Sequence, residues 1–107
     1  MPEPVSNRMR QLQKMLEKEP NDPFLLYGLG LEYKKANDAA HAIEFLDRVI
    51  AVDPGYCYAY HQKGLVYEAA DDMPSAKAAY RAGIEAATKK GDAHARSEIE
   101  AALSLIE

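Results

Sequence analysis

An all-α fold of about six antiparallel helices is predicted by three features of the 107-residue sequence. The chain matches itself when shifted by 34 residues: Gly30 falls on Gly64, Leu31 on Leu65, Tyr33 on Tyr67, Ala36 on Ala70, Asp38 on Asp72, Ala42 on Ala76 and Ile50 on Ile84. A fixed period of this length marks a repeated helix-pair unit. Within each unit the apolar residues recur at helical spacing. Composition agrees, with eighteen alanines and no run of three β-branched residues to favour a strand.

The elements follow in order. From about residue 6 to 18, Met9, Leu12, Met15 and Leu16 share one face of an N-terminal capping helix that Pro20 closes, and the period carries Pro54 back onto Pro20. The first full repeat spans 23–54. Leu26, Leu29, Gly30 and Tyr33 form its first helix, Asn37-Asp38 breaks the pattern, and Ala42, Ile43, Leu46, Val49 and Ile50 resume it until Asp53-Pro54-Gly55. The second repeat, 57–90, repeats the plan with Tyr60, Gly64 and Tyr67, then Asp71-Asp72, then Ala76, Tyr80, Gly83, Ile84 and Ala87. Pro74 suits a first helical turn, where a missing N–H costs nothing. Lys89-Lys90-Gly91 is a helix end, with cations in the last turn and glycine for a left-handed cap. Across 92–106 Asp92 is placed to cap a C-terminal capping helix with the stripe Ala95, Ile99, Ala102, Leu103 and Ile106. Glycine inside a helix costs roughly 1 kcal/mol against alanine. Its recurrence at Gly30 and Gly64 therefore points to close helix pairing, with Ala42 and Ala76 expected opposite. The whole of 1–107 reads as one domain.

Charge and composition exclude several function classes. A net charge of -4 offers no excess of cations for nucleic acid or an anionic membrane. Cys57 is alone, so no internal disulfide forms, and the MPEPVSNRMRQLQ start lacks the apolar stretch of a secretory leader. The expectation is a cytoplasmic protein without a membrane span. His41, His61 and His94 are dispersed over three helices, so no metal is expected, and no glycine-rich phosphate loop exists because Gly28 and Gly30 lie in a helical pattern. Cys57 opens a helix whose N-terminus would lower a thiol pKa, but no histidine and acid accompany it in a catalytic spacing. Asp71-Asp72 reads as a turn and cap. No enzyme activity and no cofactor are expected.

The register of Leu26, Leu29, Gly30, Tyr33, Ala42, Leu46, Val49 and Pro54, followed by Tyr60, Gly64, Tyr67, Ala76, Tyr80 and Gly83, resembles the tetratricopeptide repeat family. Lys63 stands where leucine is usual and Thr88 where proline is usual. The resemblance covers Pro23 to Thr88 and implies a right-handed α–α superhelix whose first helices line a concave surface that binds a peptide or helix of another protein. Carried over by position, that surface comprises Phe24, Tyr27, Leu31, Lys34 and Lys35, then Tyr58, His61, Leu65 and Glu68, with Asp92, Ala95 and Ile99 added by the terminal helix. Tyr27, Leu31, Leu65, Ala95 and Ile99 replace the polar residues with which chaperone-serving members clamp a terminal carboxylate, so that activity is not expected. Tyr27, Tyr58, Leu31 and Leu65 are the expected anchors, with Lys34, Lys35, His61 and Glu68 setting orientation. Self-association into a homodimer, through this surface or the outer face, is the alternative.

Overall fold

Side-chain caps start five of the six helices. In the computed structural model, which describes residues 6–107, these helices are α1 (Asn7–Lys18), α2 (Pro23–Lys35), α3 (Ala39–Val52), α4 (Cys57–Ala69), α5 (Met73–Lys90) and α6 (Ala93–Ser104). Part of the stretch read for a leader, residues 1–5, lies outside the described residues. Ser6 accepts from the Met9 N–H, Asp22 from Phe24 and Leu25, Asp38 from His41, Asp72 from Ser75 and Asp92 from Ala95. Each such cap contributes about 1 kcal/mol by satisfying a free N–H. Helix α4 alone follows a residue, Tyr56, that makes no side-chain cap.

The two turns inside the repeats share a device. Asn37 at φ 60° and Asp71 at φ 59° reverse the chain in the left-handed region, which short polar side chains tolerate, and the next aspartate caps the following helix. Gly91 at φ 76° ends α5 in the way the Lys-Lys-Gly signal foretells.

Each helix packs on its neighbour in sequence, and in addition α2 touches α4 and α4 touches α6. Among the described residues α1, α3 and α5 make no contact with one another. The even helices therefore form the inner side of a curved stack and the odd ones spread along the outside. The radius of gyration, 13.9 Å, is slightly above the roughly 13 Å of a compact domain of this length. Apolar burial divides accordingly into two cores. Leu12, Leu26, Leu29, Leu46 and Val49 lie at the centre of the first, and Tyr80, Ala87, Ala95 and Ile99 at the centre of the second.

Three packing details differ from expectation. Ala42 and Ala76 are fully buried, but the group that closes on each glycine is the side chain one turn further along. A Cβ on Gly30 would lie 3.0 Å from Leu46 Cδ2 and 3.6 Å from the Ala42 carbonyl, and one on Gly64 would lie 2.2 Å from Tyr80 Cε1. Met15 does not join the buried face of α1: it is 54% exposed, while Met9 and Leu12 fill the contact with α2. Lys63 stands in place of leucine because its ammonium meets Asp47 at 2.7 Å across the α3–α4 seam, with its stem covering apolar surface.

Candidate peptide-binding groove

The inner helices α2 and α4 carry nine of the twelve residues of the expected surface. Phe24 stands at the start of α2, 65% exposed. One turn later Tyr27 is half-buried, its ring 4.9 Å from that of Tyr56 at 38°, and burial followed by the Tyr56 phenol raises its pKa. Leu31 and, on α4, Leu65 are half-buried yet belong to neither core. Tyr58, in the first turn of α4, donates its hydroxyl to Glu98 of α6 at 3.4 Å.

The charged members are already engaged. The Lys34 ammonium donates to Gln62 Oε1 at 2.7 Å, joining α2 to α4, while Lys35 lies 3.7 Å from Glu32. Among the described residues Glu32 is the one buried acid, and it also accepts the Ser6 hydroxyl at 2.9 Å, so the cap of α1 is tied to α2. Glu68 accepts a hydrogen bond from the hydroxyl of fully buried Tyr80. Burial first, then the shared bond to Glu68, pushes the Tyr80 phenol well above its usual range. The His61 ring meets the Tyr80 ring edge-on, 6.0 Å between centroids at 69°.

On α6 the expectation needs correcting. Ala95 and Ile99 are fully buried against α5 in the second core, and Asp92 serves as the helix cap, so Ala95 and Ile99 offer no groove surface. The α6 residue bonded to α4 is instead Glu98, through Tyr58, while His94 pairs with Glu98 within α6. Gln62, Glu98, Glu32 and Tyr56 were not singled out from sequence. Only Tyr56 left a signal, since the period places it where Asp22 caps α2.

Other chemistry is sparse here. Cys57 is buried and donates its thiol to the Gly55 carbonyl at 3.3 Å, and burial raises its pKa, opposite to the direction a helix N-terminus alone would give. His41, with Nδ1 2.7 Å from Asp38 Oδ2, lies on α3, away from the other two histidines. Among the described residues no group of three His, Cys, Asp or Glu side chains is placed to hold a metal ion, and no helix is long and apolar enough to cross a membrane.

His61 makes stability depend on pH. Burial holds its imidazole below the ordinary 6.5; Lys34 pushes the same way, while Glu98 and Glu68 oppose. The fold thus prefers the neutral ring, and as pH falls through the unfolded value the unfolded chain takes up the proton first, so stability declines. Asp38, whose pKa is lowered by the His41 backbone N–H, costs stability only in a separate window below its ordinary 3.8. The melting temperature should therefore fall between about pH 7 and about pH 5, and His61→Gln should narrow the fall. An equal fall in the variant would show that His61 is not its source.

Comparison with known proteins places this geometry. The family model described as "Tetratricopeptide repeat" matches residues 25–56 and 58–90. A TPR repeat-containing protein of Pseudomonas aeruginosa is 36% identical over 88 residues, covering 82% of this chain and 84% of its own. The crystal structure of a tetratricopeptide repeat domain protein from Salinibacter ruber superposes with a TM-score of 0.71 at 32% identity, covering 79% of this chain and 94% of that one. The solution structure of a Bordetella parapertussis protein has a TM-score of 0.82 at 24% identity, covering 94% of this chain and 88% of that one, which is a likeness of fold.

Proposed function

This chain belongs to the tetratricopeptide repeat family, whose repeats generally mediate protein–protein interaction, and we propose that it is a non-enzymatic module that binds a peptide or helix of another protein along α2 and α4. The observation that carries the reading is the row Phe24, Tyr27, Leu31, Tyr58 and Leu65. These are large apolar or aromatic side chains that stay half-buried or exposed on the inner helices, Tyr27 and Tyr58 at the edges of the two cores and Phe24, Leu31 and Leu65 outside both. Rigid aromatic side chains bring much contact area at low entropic cost, so Tyr27 and Tyr58 act as anchors. Lys34, Lys35, His61 and Glu68 set orientation, each after exchanging an internal partner for one on the ligand.

Affinity capture from native cell extract, read by mass spectrometry, identifies the partner. Tyr27→Ala and Tyr58→Ala should each then weaken its binding about tenfold or more with helical content unchanged. Unchanged affinity in folded variants would overturn the groove. Were the occupant a second copy of the chain, sedimentation at micromolar concentration would show a species heavier than 11.9 kDa.

A further inference from the structure

Where α2 and α4 begin and α5 gives way to α6, Tyr27, Tyr56, Cys57, Tyr58, Lys90 and Asp92 enclose a concavity of about 220 Å³. Three phenol rings meet there, and aromatic faces attract a cation brought within about 6 Å of the ring centroid. Carboxylates lie near them: Asp92 lines the concavity, Glu98 accepts the Tyr58 hydroxyl, and after burial the charges of Asp53 and Asp22 on Tyr56, and of Glu98 and Asp92 on Tyr58, raise the pKa of both phenols.

Two features oppose a cation, and both are outweighed. Lys90 lines the concavity, but its ammonium is turned onto the Gly55 carbonyl at 3.1 Å. The N-termini of α2, α4 and α6 each carry about half a positive charge. Asp92 on the lining, with Glu98, Asp53 and Asp22 around it, outnumbers the one ammonium, so negative charge prevails around the rings.

We propose that this concavity receives a cationic side chain, lysine or arginine, of the partner peptide, held among the faces of Tyr27, Tyr56 and Tyr58 and facing the carboxylates of Asp92 and Glu98. The identity of the donor as a partner peptide rests on the groove reading above; the preference of the pocket for a cation is testable without any partner. A free anion at the uncapped start of α4 is the opposite outcome.

The full chain is titrated with tetramethylammonium chloride and followed by amide NMR, beside the neutral tert-butanol and the anionic acetate as sodium salt. Saturable shifts at Tyr56, Tyr58 and Asp92 are expected with tetramethylammonium alone. Asp92→Asn keeps the α6 cap, since asparagine caps as well as aspartate, and should weaken binding about threefold; Tyr56→Leu, which removes a ring, should weaken it more. Acetate shifting the same amides, tert-butanol shifting them equally, absence of saturation, or an Asp92→Asn variant that binds unchanged would each overturn the proposal. Failure here with partner capture still sensitive to Tyr27→Ala would leave the groove standing, and the converse would remove the groove and keep the pocket.

Discussion

Gly64→Ala should lower the melting temperature by roughly 10 °C, whereas Gly30→Ala, its counterpart one repeat earlier, should change it little. A methyl on Gly64 would meet three Tyr80 ring carbons at 2.2 to 2.6 Å, and that ring cannot step aside: it is fully buried and its hydroxyl is held by Glu68. Overpacking of this kind costs about 1–3 kcal/mol or more, against which alanine returns about 1 kcal/mol of helix propensity. A net loss of about 2 kcal/mol corresponds to the stated shift in a domain of this size. At Gly30 the nearest atom is the end of a flexible leucine, 3.0 Å away at Leu46 Cδ2, and a displacement of a few tenths of an ångström suffices. Tyr80→Leu in the Gly64→Ala background should restore part of the loss, because leucine is what the first repeat places there. Equal melting temperatures for the two alanine variants would contradict the packing argument.

Ile99→Ala should cost about 2–5 kcal/mol, as expected for truncating a fully buried branched side chain. Ile99 is the central contact of α6 with the second core, and in a stack where each helix touches mainly its neighbours the loss should appear first as faster amide exchange in α6 and α5. Leu105→Ala, one residue beyond α6 and 86% exposed, should stay within about 0.5 kcal/mol of the parent. Exchange accelerated evenly through α1 to α6 would mean instead that the six helices unfold as one unit.

Much of the architecture was legible because its signals are local or periodic. Asp38, Asp72 and Asp92 announce caps, Asn37 and Asp71 mark reversals, and Lys89-Lys90-Gly91 an ending, each through chemistry within four residues of itself. The candidate groove was legible only as positions. The helical period says that Ala95 and Ile99 share a face, but it does not say whether α5 or a partner covers that face, and α5 does. Nor does it say that Glu68 meets Tyr80 or that Lys34 meets Gln62, since those meetings depend on how far two helices slide along each other.

The sequence by itself determined the helices, their pairing and their repeat, because hydrophobic spacing, caps and turn residues act over distances of one or two helical turns. Only the tertiary structure decided which apolar residues remained open, that Tyr80 rather than Ala76 fills the space at Gly64, and that three tyrosines and Asp92 converge on one concavity. Those outcomes depend on interhelical distances and on which atoms fill the space between helices, and no pattern along a single chain encodes them directly.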